Sequence, residues 1–191
     1  SQNPVGKLVA YAPDGSKQYV NRTYDTYFDV DPHPSEKWSV VYTATNKSSV
    51  NRSVCVDPCA RSVVEVVNFT TGEVRRLTSR YNHRQTSSEW HDVDRVAPGE
   101  YLVADMADNA VYRLDTETET IEWIWRAKDY YHPATGGPYP GDWTHLNDVE
   151  KLPDGRVMVS MRNHDQVLFL DPESGTVVEE DTLGSDGAHE I

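Results

Sequence analysis

Two histidines, an arginine and an asparagine stand where chemistry is to be expected. His91 lies in Trp90-His91-Asp92, and His145 and Asn147 lie in Asp142-Trp143-Thr144-His145-Leu146-Asn147. Arg162 closes the following apolar run, Arg156 to Arg162. A guanidinium can hold two oxygens of a tetrahedral oxyanion through parallel N–H bonds, and a protonated imidazole can donate to a third. Together these groups would grip sulfate or phosphate and stabilise charge moving onto a leaving oxygen. Imidazoles also titrate near neutral pH, so either histidine could act as a general acid or base. Each residue has a plainer reading too. The histidines would be buried and satisfied by a neighbouring repeat, and Arg162 would pair with Asp148 or Asp105.

Such residues are far apart in sequence, so the fold must bring them together. The hydrophobic pattern has period two almost throughout, with no convincing amphipathic helix. Three stretches align on Phe28-Asp29-Val30, His91-Asp92-Val93 and Asn147-Asp148-Val149. Each continues as four short strands. The first is 28–31, 38–44, 62–67 and 73–78; the second 91–94, 101–106, 110–115 and 121–126; the third 147–150, 156–162, 166–171 and 176–181. Turns such as Ala97-Pro98-Gly99 and Pro153-Asp154-Gly155 supply the positive φ that tight connections need. A repeated four-stranded meander predicts an all-β fold of β-propeller blades, with a β-sandwich of irregular hairpins as the alternative.

The repeats start roughly 60 residues apart, longer than the ~40–50 of a bare blade. Two insertions account for the excess, residues 45–61 and the Gly-, Pro- and Tyr-rich 128–142. An earlier hairpin, 8–12 with 17–20, reads as the outer half of a preceding blade, and a further inner strand is expected after Gly187. The expectation is one propeller domain over 1–191, about three blades with partial flanking blades, belonging to a larger ring. In such a ring the innermost strands converge, placing Phe28, His91 and Asn147 at equivalent positions. His145, two residues before Asn147, would share its strand face. The recurring Asp29, Asp92 and Asp148 read as turn and inter-blade hydrogen-bond groups rather than calcium ligands. Trp123 and Trp125 read as outer-strand packing. His33, His83, His132 and His164 fall in expected loops and receive no role.

Composition narrows the partners. The 191 residues carry a formal net charge of −13, spread along the chain. This field disfavours nucleic acid and anionic membrane surfaces. Lys is scarce beside Arg, Asp outnumbers Glu, and Val and Thr are abundant. That balance fits either a protein from a salt-loving archaeon, where molar salt screens charges over about 3 Å, or a merely acidic surface. Asn21, Asn46, Asn51 and Asn68 each begin a glycosylation sequon. Cys55 and Cys59, the only cysteines, would close a small disulfide loop contributing about 2 kcal/mol, or less readily serve as zinc ligands. Sequons and disulfide together predict an extracellular or cell-surface location. No apolar run is long enough to span a membrane. Ser1-Gln2-Asn3-Pro4 reads like a chain whose leader is missing.

The run from Asp142 to Asp148, with Arg162-Asn163-His164-Asp165-Gln166 and Trp90-His91-Asp92-Val93-Asp94, resembles the arylsulfotransferases that do not use a nucleotide sulfate donor, their haloarchaeal members in particular. The resemblance implies a six-bladed propeller. It implies transfer of a sulfuryl group from an aryl sulfate to a phenol through a transiently sulfated histidine, without a cofactor or metal. His91, His145 and Arg162 would then bind the sulfuryl oxygens and assist proton transfer, with Asn147 as a further polar contact. The family's nucleophilic histidine belongs to a glutamine-histidine motif, which Ala188-His189-Glu190 does not match. This chain alone is therefore expected not to turn over. Two rival readings remain at this point. One is a non-catalytic, glycosylated surface propeller that binds or assembles with other chains or the remaining blades. The other is a hydrolase-like propeller with calcium in its channel, which carboxylates rather than His and Arg would line.

Overall fold

The computed structural model describes residues 6–47, 53–55, 59–83 and 88–182. Asn51 and His189 lie outside the described residues, as does the side chain of Trp123. The chain divides into two units, Ser1–Gln85 and Thr86–Ile191.

The first unit contains a two-stranded hairpin and one four-stranded antiparallel sheet. The hairpin pairs β1 (Leu8–Tyr11) with β2 (Lys17–Asn21). The sheet runs in chain order through β3 (Thr26–Pro32), β4 (Ser39–Asn46), β5 (Ala60–Asn68) and β6 (Val74–Asn82). In β5 the run Val63-Val64-Glu65-Val66-Val67 is buried on both faces, which is why its sequence does not alternate cleanly. Leu8, Tyr24, Tyr42, Ala44, Val63 and Val67 form the apolar core shared by hairpin and sheet. Beside them Glu65 is buried, and both of its carboxyl oxygens are engaged. It accepts the Tyr24 hydroxyl at 2.6 Å, the Tyr42 hydroxyl at 2.7 Å and the Arg76 guanidinium at 2.9 Å. Burial, reinforced by the Glu65 charge, pushes the Tyr24 phenol up to about 12. The phenols therefore stay protonated and remain donors.

Cys55 and Cys59 are joined in a disulfide, with the Tyr81 ring packed against it and His83 Nδ1 3.7 Å from Cys55 Sγ. Of the sequon asparagines, Asn21 Oδ1 accepts the Thr23 amide at 2.9 Å and Asn68 Oδ1 accepts the Thr70 amide at 2.9 Å. Both are tight turns closed by the asparagine side chain. Asn46 ends β4.

The second unit is two four-stranded meanders. One comprises β7 (Trp90–Ala97), β8 (Glu100–Asp105), β9 (Ala110–Asp115) and β10 (Thr120–Arg126). The other comprises β11 (Leu146–Lys151), β12 (Val157–Met161), β13 (Gln166–Leu170) and β14 (Val177–Thr182). Burial falls from the second strand outward: β12 is buried at every residue, whereas β14 is almost wholly exposed. β14 is the outer strand of its sheet, and its exposed Glu179, Glu180 and Asp181 give that strand a charge that opposes edge-to-edge pairing with other chains. Leu102, Val111, Trp125, Leu146, Val159 and Leu168 belong to one apolar core spanning the two sheets. Trp125 thus packs as expected. The only helical elements among the described residues are single 3-10 turns at Ala127–Asp129 and Arg162–His164.

Replacing Glu65 by Ala should lower stability by about 3 kcal/mol, because two buried hydroxyls lose their acceptor and Arg76 its partner. A urea titration followed by tyrosine and tryptophan fluorescence checks this. A loss below about 0.5 kcal/mol would show that the network carries little weight.

Candidate functional site

The expected site residues all lie in the second unit. There β11 runs beside β7, and three hydrogen bonds tie them. Asp92 Oδ2 accepts the Val149 amide at 2.7 Å, Asp94 Oδ2 accepts the Lys151 amide at 2.7 Å, and His91 Nδ1 lies 3.1 Å from the Asn147 carbonyl. A carbonyl only accepts, so the last contact places a proton on His91 Nδ1. Asp92 has the inter-sheet role expected of it.

Both strands are irregular at the residues of interest. The register of β7 on β8 shifts between Trp90 and Asp92, and that of β11 on β12 shifts between Leu146 and Asp148. His91 and Asn147 are therefore bulge residues, left out of the ladder of their own sheets, a geometry that re-aims a side chain. In the first unit, the register of β3 on β4 shifts between Tyr27 and Val30, at Phe28 and Asp29. The three aligned sequence positions are thus three aligned bulges.

His145 is not on the strand. It precedes β11 in the left-handed region, at φ 47°, so simple alternation with Asn147 does not set its direction. What sets it is Asp142, whose Oδ1 lies 2.5 Å from His145 Nδ1. The Arg162 amide donates to the His145 carbonyl at 3.3 Å, bringing the arginine alongside. Its Nη2 approaches Asp142 Oδ2 at 3.5 Å and its Nε donates to Asn163 Oδ1 at 3.3 Å. Arg162 accordingly pairs with Asp142, not with Asp148 or Asp105. The Asp105 carboxylate instead accepts the Trp90 indole N–H at 3.0 Å.

His91 and His145 have ring centroids 5.9 Å apart. The structure therefore brings His91, His145 and Arg162 into one cluster, joined by the unforeseen Asp142. Asn147 contributes its carbonyl to His91, and its side chain is buried. The side chains of His145, Arg162 and Asp142 are 18%, 32% and 36% exposed, so a small anion can reach them.

The loop that carries Asp142 is held firmly. Asn109, reaching from the β8–β9 turn, accepts the Thr144 amide at 3.1 Å and the Thr144 hydroxyl at 2.8 Å on its Oδ1. Asn163 Nδ2 donates to the Asp142 carbonyl at 2.6 Å. Gly137 lets this happen: a Cβ there would lie 2.1 Å from the Asp142 oxygen. Behind the loop, His164 stacks against Tyr131 with centroids 4.1 Å apart and meets the Trp143 ring edge-on at 5.7 Å. His164 is therefore a packing residue of the loop, a role that its loop position in sequence did not suggest.

Burial is the main influence on His145 and holds its pKa below the ordinary imidazole value. Asp142 and Glu89 oppose that shift, and Arg162 adds to it. Burial lowers His164 in the same direction. Among the described residues, no group of three or more His, Cys, Asp or Glu is arranged to hold a metal ion.

No family model matches the sequence, and no curated protein matches it significantly. Solved structures do match. The WD40 β-propeller domain of Doa1 is similar with a TM-score of 0.56 at 12% identity, over 95% of this chain and 52% of that one. A chain of the nidogen/laminin complex is similar with a TM-score of 0.62 at 11% identity, over 96% and 58%. Luciferin-regenerating enzyme is similar with a TM-score of 0.60 at 7% identity, over 95% and 57%. The fold is that of a β-propeller built of four-stranded antiparallel blades. The chain spans between half and three fifths of the length of these structures.

Because folding lowers the pKa of both His145 and His164, the unfolded chain binds more protons in the window below about 6.5. Stability contributed by these residues is fully present above that value and is lost as pH falls through it. The urea midpoint should drop between about pH 7 and pH 5.5. His164→Phe should flatten that slope, and an unaltered slope would remove His164 as a contributor.

Proposed function

We propose that this chain supplies the oxyanion-binding part of an exported arylsulfotransferase-like propeller, which moves a sulfuryl group from an aryl sulfate to a phenol. The observation that carries the reading is the clustering of His91, His145 and Arg162 from two adjacent blades, partly open to solvent, in a chain whose net charge is −13. In a chain this acidic, a partly open cluster of imidazole and guanidinium donors is a local exception to the surrounding field, as an anion-binding site would need. The motif around His145 and Arg162 resembles that family, and the propeller fold is compatible with it.

In the first half-reaction, a histidine outside the residues assigned here forms an N–S bond as the S–O bond to the aryl group breaks. The electron pair leaves on the phenolate oxygen. In the second, the acceptor phenol oxygen forms a bond to sulfur, the N–S bond breaks, and the acceptor proton passes to a base. Arg162 would hold two sulfuryl oxygens throughout, and a histidine of the cluster would manage the proton. The chemistry calls for no metal or cofactor. Four sequons and the Cys55–Cys59 bridge support an exterior location. The proportion of acidic residues supports a halophilic source.

A second reading rests on His91. Its Nδ1 is engaged with the Asn147 carbonyl, and Asp92 and Asp94 bond the same strand. A glycosylated surface propeller used for binding or assembly would need these ties and no catalysis.

The test is transfer from 4-nitrophenyl sulfate to phenol by the full-length protein containing this chain. His145→Ala and Arg162→Ala should each slow it on the order of 10²-fold. Rates unchanged in both variants, or no transfer by the wild-type protein, would favour the binding reading.

A further inference from the structure

Resting on the oxyanion-site reading above, we propose that Asp142 is a positioning residue, one that fixes the tautomer of His145 and parks Arg162 until an anion arrives. Three facts carry this. First, an ionised carboxylate can only accept, so Asp142 Oδ1, 2.5 Å from His145 Nδ1, requires the proton to sit on Nδ1. Neutral His145 then carries its lone pair on Nε2, for which no protein partner is present among the described residues. Second, the other oxygen of the same carboxylate faces Arg162 Nη2 at 3.5 Å, the far limit of a hydrogen bond. This contact neutralises the guanidinium without gripping it. Third, Asp142 is itself fixed through its backbone, where Asn163 donates to its carbonyl and Gly137 leaves room for the approach. The side chain is thus positioned by bonds it does not make itself.

The consequence differs from the chemistry expected of a protonated histidine. His145 rests as a base. When an acceptor phenol attacks sulfur, its O–H bond breaks and the proton goes to Nε2. The resulting imidazolium is stabilised by Asp142, in the way a carboxylate behind a catalytic imidazole acts elsewhere. The proton is then returned to the departed phenolate through solvent, so the exchange balances. Arg162, meanwhile, trades one weak contact for two charge-assisted bonds to the sulfuryl oxygens. The groups that face His145 are Asp142 and Arg162 around its own loop, with Glu89 and His91 from the neighbouring blade.

The experiment compares wild type, Asp142→Asn and Asp142→Glu in the full-length protein. Long-range ¹⁵N–¹H NMR of labelled histidine reads the tautomer and pKa of His145 independently of any activity. In wild type the Nδ1–H form should dominate above neutrality. Asp142→Asn should shift the population toward Nε2–H and lower the His145 pKa, and Asp142→Glu should restore part of both. In the transfer assay Asp142→Asn should cut kcat on the order of 10²-fold with little change in KM, and should displace the acid limb of the pH profile. The unchanged backbone bond from Asn163, together with native His164 signals, guards against reading misfolding as mechanism. A His145 tautomer and pKa indifferent to Asp142→Asn would overturn the proposal, as would an altered tautomer with unaltered kcat. If no transfer occurs even in wild type, the sulfotransferase reading fails, and the positioning role is decided by the NMR alone.

Discussion

The candidate site depends on carboxylates that take the place of a missing ladder. Neighbouring blades in this fold are not hydrogen-bonded as one sheet, so the amides on the facing edge of an inner strand need acceptors from elsewhere. Asp92 and Asp94 provide them to Val149 and Lys151. The Val149 amide is buried, and leaving it without an acceptor would cost about 1–3 kcal/mol, whereas the Lys151 amide is exposed to water. These two bonds fix the longitudinal register of one blade on the next. The 5.9 Å separation of the His91 and His145 rings follows from that register. A slip of one residue would invert the faces of β11 and carry its bulge away from that of β7.

This account of the blades was largely legible in the sequence. The second repeat was expected to have strands at 91–94, 101–106, 110–115 and 121–126, and the structure has them within a residue or two at most ends. Alternation and turn residues suffice for that, because strand period and turn chemistry are local. Legibility ended where backbone geometry departs from the period. His145 was placed on a strand face by counting back two from Asn147, but a left-handed residue and a bulge intervene. No pattern of apolar residues marks either one. Asp142 was overlooked for a related reason. It closes an insertion rich in turn formers, and turn aspartates normally bond their own backbone. Only the folded loop, pinned by Asn109 and Asn163, turns its carboxylate toward an imidazole and a guanidinium.

The electrostatics of the cluster are more finely balanced than its residue types suggest. Two histidines and an arginine imply a strongly positive site. Yet burial holds His145 toward its neutral form, and the Asp142 carboxylate faces Arg162, so the surroundings of both groups temper the positive charge that their types suggest. On the proposed reading the site would discriminate by geometry, favouring a tetrahedral oxyanion that replaces Asp142 on Arg162 while leaving the Asp142–His145 bond in place. The Asp142–Arg162 pairing also suits a protein of charge −13, in which an uncompensated cationic patch would attract acidic segments of other copies.

The recurring bulge suggests how such a site can arise from a repeat. In Phe28-Asp29-Val30, His91-Asp92-Val93 and Asn147-Asp148-Val149 the first residue leaves the ladder; pairing resumes at Asp92 and Asp148 in the later repeats and at Val30 in the first. In the second repeat the aspartate bonds the next blade's backbone, and both valines of the second unit are buried. The second and third positions are thus tied to architecture. The first owes nothing to pairing within its own sheet, although His91 and Asn147 bond to each other across the blades. It can be Phe, His or Asn without disturbing the sheet, and it is each of these in turn. The bulge is thus the position of the repeat where the side chain can change while the fold stays the same, and His91 occupies it, whereas His145, Arg162 and Asp142 reach the same cluster from the turns that flank β11 and β12.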